Sequence, residues 1–193
     1  MKSLIYLLLA FIVILTSNYS CIRAQNNTSD SDSAAFAVLI KKMLKWHEAD
    51  RSGDFLMISN PKDTVYYSGL DWTANKKRMR ELFETNFFTK DFLENYQAIA
   101  LHLDKELKQN KIKYRIGELP PYGNEANEWC NCQDYPSNIW QRLQITNIKI
   151  DNDTATFQWT WGDNFYYSVN TKKENGSWKI SYLERFDIKN FTW

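Results

Sequence analysis

The chain has 193 residues and a formal net charge of +1, from 24 basic and 23 acidic residues. This near-neutral balance argues against nucleic-acid binding, because that class of protein gains most of its affinity from clustered positive charge. Lysines and arginines do form two groups, but acidic residues such as Glu81 and Asp104 are interspersed among them, which predicts solvated helix faces. The two groups are Lys76, Lys77, Arg78 and Arg80, and Lys105, Lys108, Lys111, Lys113 and Arg115.

The N-terminus has the pattern of an export signal. Lys2 supplies a positive charge, and residues 4–15 form an apolar run that is too short for a membrane-spanning helix, which needs about 20 residues. We predict a signal peptide over residues 1–24, with cleavage after Ala24. Lipid attachment at Cys21, as in a bacterial lipoprotein, and an uncleaved anchor are the two alternatives. The first two routes predict export to the periplasm or cell envelope of a bacterium, with no membrane span after processing.

The polar residues 25–33 are typical of a disordered leader. A helix is predicted over 34–50, because apolar side chains and one histidine recur there at spacings of three and four. This face consists of Phe36, Leu39, Ile40, Met43, Leu44 and His47. Residues 54–70 are predicted to be irregular or briefly extended, with 64–67 as the strand candidate.

Two further helices are predicted, one over 73–87 and one over 89–109. Thr89 is a good N-cap for the second of these helices, which would bury one apolar face. That face consists of Phe92, Tyr96, Ile99, Ala100, Leu103 and Leu107. Residues 117–138 contain three prolines and two glycines, which predicts a loop.

The last third of the chain is predicted to be an antiparallel meander with strands near 143–150, 154–161, 165–173 and 178–186. Asn175-Gly176 favours a tight hairpin turn between the last two strands. In the second strand, alternation places Ala155, Phe157, Trp159 and Trp161 on one face. Helices followed by such a sheet predict an α+β fold with one domain over 34–193, in which the helices cover Phe157, Trp159, Val169 and Ile180.

This order of elements resembles the nuclear-transport-factor-2-like (NTF2-like) cone fold, and more narrowly the exported bacterial domain family DUF3828. The matching residues are Trp46, Phe88-Thr89-Lys90-Asp91-Phe92, Gln133-Asp134 and Gly176-Ser177-Trp178-Lys179-Ile180. The resemblance implies a curved antiparallel sheet packed on the N-terminal helices, a pocket between the helices and the sheet, and a location in the envelope. It implies no particular activity.

The spacing of Cys130 and Cys132 in an exported chain predicts a local disulfide. Free thiols are one alternative, and a zinc site completed by His47 and His102 is another. The zinc site is disfavoured, because the two histidines lie on different helices and no second cysteine pair exists. We predict neither a metal nor a cofactor.

His47 lies in the middle of the apolar stripe of the first helix. A histidine there is most simply a core residue bonded to a backbone carbonyl or a tyrosine hydroxyl, and the alternatives are a ligand anchor or a general base. Aromatic residues make up 16% of the chain, so some of them could line a pocket together with His47. The candidates are Trp46, Tyr96, Trp159, Trp161 and Tyr167, each of which would also suit a plain core.

No phosphate-binding loop, nucleophile elbow or His-Glu-x-x-His motif occurs in the sequence. The first functional hypothesis is therefore a non-catalytic domain, secreted or attached to the envelope, that binds a small apolar or aromatic ligand in a cone-shaped pocket. The second is a protein-interaction module, for example an inhibitor or immunity-type partner of another envelope protein. The third is a small enzyme that uses His47.

Overall fold

The structure, a computed structural model, describes residues 30–49, 53–120, 122 and 126–192. The predicted signal peptide, the possible lipid attachment at Cys21 and the first part of the predicted leader lie outside these residues. Among the described residues, no helix combines the length and the apolar character that crossing a membrane requires.

The chain divides into two compact units, residues 1–36 and residues 37–193. In the first unit, residues 30–36 are described, and they are helical. The prediction of a disordered leader is therefore wrong for 30–33. Aspartate and serine are favoured in the first turn of a helix, so their polarity does not exclude helical structure there.

The second unit is α+β, as predicted. Helix α1 covers 37–49 of this unit. The remaining helices are α2 (Trp72–Glu84), α3 (Lys90–Lys108) and the short α4 (Ile139–Arg142), and two 3-10 turns lie at Glu184–Phe186 and Ile188–Phe191. The strands are β1 (Met57–Asn60), β2 (Asp63–Leu70), β3 (Gln144–Asp151), β4 (Thr154–Gly162), β5 (Phe165–Glu174) and β6 (Ser177–Leu183).

Strands β3 to β6 form a curved antiparallel sheet in the order β3-β4-β5-β6, which confirms the predicted meander. The side chains expected beneath the helices are all buried, namely Phe157, Trp159, Val169 and Ile180. The strands also pair in the register that alternation requires, with Phe157 opposite Val169 and Trp159 opposite Tyr167. The inner face of this sheet is therefore apolar and covered, whereas its outer face is polar and exposed.

Strands β1 and β2 form a separate hairpin where the sequence predicts mostly irregular chain. Their register shifts on both sides of Ser59, and Pro61 lies in the turn, so no clean alternation marks these strands in the sequence. The far edge of β2 pairs with the segment 114–116, because the Tyr67 amide donates to the Tyr114 carbonyl at 2.9 Å. The Ile116 amide likewise donates to the Val65 carbonyl at 2.9 Å.

Helix α3 begins as predicted, because the Thr89 hydroxyl accepts a hydrogen bond from the Phe92 amide at 3.3 Å. Residues 87–89 also lie beside β6. The Ile180 amide donates to the Phe87 carbonyl at 2.8 Å, and the Thr89 amide donates to the Ile180 carbonyl at 2.9 Å. The start of α3 is thereby held on the last strand, with the helix packed over the inner face of the sheet.

Candidate functional site

The loop after α3 places the indole of Trp129 in the core, where it has no exposed surface. Its ring stacks on His47 with 5.2 Å between centroids and meets Trp46 edge-on at 5.7 Å. Further ring contacts come from Phe88, Phe92 and Phe186. Directly after Trp129, a disulfide joins Cys130 to Cys132 with an S–S distance of 2.06 Å.

Below this indole, side chains from three elements donate hydrogen bonds to the buried carboxylate of Asp54. Trp129 Nε1 donates to Oδ2 at 2.6 Å, and the Tyr96 hydroxyl donates to Oδ1 at 2.7 Å. Arg78 Nε donates to Oδ1 at 2.8 Å, which makes the pair a buried salt bridge. Asp54 thus links α2, α3 and the Trp129 loop.

Arg78 is 2% exposed, so the prediction of a solvated helix face is wrong for this member of its basic group. Its guanidinium lies 4.6 Å from the Trp46 ring centroid and 5.7 Å from that of Trp129, at cation–π distance. Asn75, Arg78 and Leu82 are the buried residues of α2 and share one helix face. That spacing was the available sequence signal, but the lysines beside Arg78 obscured it.

Burial raises the pKa of Asp54 to about 6, although the hydrogen bonds from Trp129 and Tyr96 act in the opposite direction. His47 shifts the other way, because burial and then the charge of Arg78 lower its pKa to about 4. At neutral pH the carboxylate is charged and the imidazole is not. His47 Nδ1 lies 3.2 Å from the Tyr135 hydroxyl, so this ring nitrogen is hydrogen-bonded to a phenol.

Trp159, Trp161 and Tyr167 form a second aromatic cluster on the inner face of the sheet. The Trp159 ring lies 5.1 Å from Trp161 and 5.4 Å from Tyr167. The Trp159 indole nitrogen is buried without a hydrogen-bond partner among the described residues. The Tyr167 hydroxyl donates to the Glu128 carbonyl at 2.6 Å, which ties this cluster to the Trp129 loop.

The largely buried Glu128 is a further acid of this loop. Burial raises the pKa of Glu128 to about 7, and the charge of Asp54 adds to this effect, whereas that of Arg185 opposes it. An acid with a pKa near neutrality in the interior is a titratable group that the sequence analysis missed.

The predicted site residues are thus brought together in two groups. Trp46, His47 and Tyr96 surround Trp129 and its Asp54 partner, while Trp159, Trp161 and Tyr167 lie together on the sheet. Tyr96, Trp159 and Tyr167 are at most 1% exposed. These three side chains contact the core and are closed to solvent, whereas Trp46 and His47 are half-buried.

A hollow of about 460 Å³ lies instead on the outer face of the sheet. We refer to it as the outer hollow. It is lined by Asn147, Ile148, Lys149, Thr156, Phe157, Gln158, Ser168, Val169 and Asn170. It lies where β3 loses register with β4 between Thr146 and Lys149, and Asn147 at this bulge has a φ of +54°. Asparagine tolerates this left-handed conformation better than most residues, and bulges commonly reorient side chains.

Hydrogen bonds between side chains cross three strands at the outer hollow. Asn147 Nδ2 donates to Gln158 Oε1 at 2.6 Å, and Gln158 Nε2 donates to the Ser168 hydroxyl at 3.4 Å. Phe157 and Val169 are buried on the inner face, so the floor of the hollow is formed by backbone between the polar residues. In the sequence, the polar alternation of β4 and β5 is the one signal that points to this site.

Comparisons of this chain with protein-family models, with curated proteins and with solved structures found no match. Among the described residues, no three histidine, cysteine, aspartate or glutamate side chains are grouped so that they could hold a metal ion. The candidate sites are therefore assigned from their geometry alone.

Proposed function

We propose that the protein is a non-catalytic binding domain that takes up a small polar ligand in the outer hollow. The observation that carries this proposal is the row of hydrogen-bonded amide and hydroxyl groups from Asn147 through Gln158 to Ser168. Binding sites place a few convergent polar groups in a concave surface, and the outer hollow has both properties.

We place the ligand on the outer face of the sheet because the interior aromatic side chains are buried. A ligand lined by Tyr96 and Trp159 would have to displace side chains that are fully buried. Catalysis by His47 is likewise less well supported. Burial and the charge of Arg78 hold the pKa of His47 near 4, and its ring is hydrogen-bonded to the Tyr135 hydroxyl. A general base works best with a pKa near the working pH.

Native mass spectrometry of the full chain, recovered from a bacterial envelope fraction, tests the proposal. We expect a non-covalent adduct that the wild type retains and the Gln158→Ala variant loses. Gln144→Ala is the matched control, since Gln144 is an exposed glutamine of the neighbouring strand β3 that does not line the outer hollow. An adduct that persists in Gln158→Ala would contradict this site.

A protein-interaction module is the second candidate, favoured by exposed apolar side chains on and around the β1–β2 hairpin. These are Leu56, Ile58, Val65, Tyr66, Ile116 and Leu119, of which Leu119 is 65% exposed. Segment 114–116 is hydrogen-bonded to β2, so these residues belong to one part of the fold. Large exposed apolar areas are typical of interaction surfaces.

A pull-down from envelope extract tests this second candidate. Here the Ile116→Lys/Leu119→Lys double variant should lose a partner that the wild type retains, while the Gln158→Ala variant keeps it. Capture of the same partner by the wild type and both variants would argue against the hairpin surface.

We also infer that the chain is an exported bacterial protein of the DUF3828 type, on the motifs at Trp46, 88–92, 133–134 and 176–180. Lys2 and the apolar run at 4–15 support export. The mass of the denatured mature chain separates the two processing routes. A chain that begins at Gln25 would indicate simple secretion, and one that begins at Cys21 with added lipid mass would indicate an envelope lipoprotein.

A further inference from the structure

We propose that the ligand of the outer hollow is a saccharide, an inference that rests on the proposed binding function. A sugar hydroxyl both donates and accepts hydrogen bonds, so it is best matched by groups that also do both. Side-chain amides and hydroxyls have this property, because an amide has two N–H donors and a carbonyl acceptor. The outer hollow presents such groups at Asn147, Thr156, Gln158, Ser168 and Asn170.

These groups are held in place before any ligand arrives. Gln158 is fixed from both sides, because its Oε1 accepts from Asn147 and its Nε2 donates to Ser168. Each amide atom in this row has one further donor or acceptor position, which a ligand hydroxyl can use. Since the side chains are already ordered by their neighbours, binding loses less conformational entropy there than at a set of free surface residues.

Two tyrosines on the same outer face supply apolar surface beside the polar row. Tyr166 is 52% exposed and lies two residues before Ser168 on β5, about 7 Å along the strand. Tyr182 on β6 lies directly opposite Asn170. The face of a tyrosine ring can pack against the C–H surface of a sugar while its hydroxyl stays in water.

The charges at the outer hollow favour binding over cleavage. Lys149 is the charged residue among the described side chains that line it. The nearby Glu184 carboxylate accepts a hydrogen bond from the Ser168 backbone amide at 2.8 Å, so it is already engaged by the protein. Most glycoside hydrolases place two carboxylates at the bond they cleave, and the lining side chains supply none. Lys149 would add attraction for a sugar acid, while the amide row serves neutral and acidic sugars alike.

Isothermal titration of the full chain with three tetrasaccharides tests the proposal. The probes are maltotetraose (neutral), chitotetraose (N-acetylated) and tetragalacturonate (acidic), each up to about 10 mM, which detects even weak binding. We expect at least one probe to bind, with about tenfold weaker affinity for Gln158→Ala and for Tyr166→Ala. Gln144→Ala should bind as the wild type does. All three positions are on the sheet surface, and thermal unfolding would verify that each variant is folded.

The outcomes separate the saccharide from the binding function as a whole. Binding of tetragalacturonate alone, weakened by Lys149→Ala, would identify an acidic sugar. Binding of maltotetraose or chitotetraose that Lys149→Ala leaves unchanged would identify an uncharged one. If no probe binds but native mass spectrometry shows an adduct that Gln158→Ala loses, the saccharide is excluded and the binding function stands. If no probe binds and the adduct is independent of Gln158, both proposals fail.

Discussion

At Asp54, the donors of Arg78, Tyr96 and Trp129 converge on one largely buried carboxylate. Burying an ion is costly, and the cost is offset when the opposite charge and further hydrogen bonds satisfy its lone pairs. Removing one partner lowers the free energy of unfolding strongly, because the other charge stays buried without its counter-ion. Asp54 and Arg78 are therefore expected to be positions at which substitution lowers stability strongly.

Replacing Asp54 by asparagine should lower the free energy of unfolding by about 3–5 kcal/mol at pH 7.5, because the guanidinium of Arg78 would remain buried without its carboxylate. Urea denaturation measures this change. The exposed Asp153→Asn is the control and should change stability by less than about 0.5 kcal/mol. A loss for Asp54→Asn as small as that of the control would show that the pair contributes little.

The Asp54→Leu/Arg78→Met double variant examines the same pair without leaving a charge. Removing both partners of a buried pair is often far less harmful than removing one. We expect the double variant to be more stable than the summed losses of Asp54→Leu and Arg78→Met predict. A double-mutant cycle of these variants measures the difference. Simple additivity would mean that the two side chains act independently.

These residues were hard to predict for a physical reason. A buried arginine is acceptable when a carboxylate and aromatic faces surround it, and those partners come from positions 46, 54 and 129. Within α2, only the spacing of Arg78 from the buried Asn75 and Leu82 distinguishes it from the neighbouring Lys76 and Lys77. By contrast, the environment of His47 was partly accessible, because its spacing within an apolar stripe already placed it near the core.

At the scale of elements, the meander was predictable because alternation and turn residues agree along it. Strand β4 alternates almost perfectly, and the sharp turns carry asparagine, aspartate or glycine at positive φ, as at Asn175 and Gly176. The β1–β2 hairpin was predicted only in part, through the strand candidate 64–67 within β2, since its strands are bulged and joined through a proline. Its stability comes from contacts with α3 and 114–116, which are distant in sequence.

The start of α3 offers an element-scale prediction. Thr89→Ala removes the hydroxyl that accepts from the Phe92 amide, and it should cost about 1 kcal/mol of stability. Thr89→Ser keeps the capping oxygen and should restore most of this loss. If serine and alanine destabilise equally, the methyl group of this buried threonine matters and the cap does not.

The Trp129 loop can be dissected by comparing its indole with its disulfide. A disulfide that closes so short a loop restricts the unfolded chain only slightly, so Cys130→Ala/Cys132→Ala should cost about 1–2 kcal/mol. Trp129→Phe removes the donor to Asp54 and part of a fully buried ring, and it should cost about 2–4 kcal/mol. Chemical denaturation of both variants shows which one loses more free energy of unfolding. A larger loss for the cysteine variant would show that the disulfide holds the loop.

For the molecule as a whole, Glu128 and His47 make opposite contributions to the pH dependence of stability. The folded-state pKa of Glu128 is raised from 4.5 to about 7, so its contribution to the free energy of unfolding falls as pH rises between these values. The folded-state pKa of His47 is lowered from 6.5 to about 4, so its contribution falls as pH decreases between those values. From about pH 4.5 to 6.5 the two contributions largely cancel.

Removing either group should therefore remove its own contribution from the pH profile, while the contribution of Asp54, whose pKa is raised to about 6, stays in every variant. Relative to the wild type, Glu128→Gln should gain stability as pH rises from about 4.5 to 6.5, by up to about 1.4 kcal/mol per pH unit. His47→Gln should change by a similar amount in the opposite direction. Urea denaturation across this range measures both differences, with the exposed Glu118→Gln as the control. Parallel profiles for all variants would show that neither group is perturbed by folding.

The contact between residues 87–89 and Ile180 has a consequence for aggregation. A sheet whose outermost strand is bare can recruit the same strand of another molecule and grow into fibrils. Here the backbone before α3 occupies the β6 side, and the bulge between Thr146 and Lys149 breaks the straight run of β3 on the other side. Neither margin of the sheet offers a long, flat template, so crowded copies of the folded chain are kept from joining edge to edge.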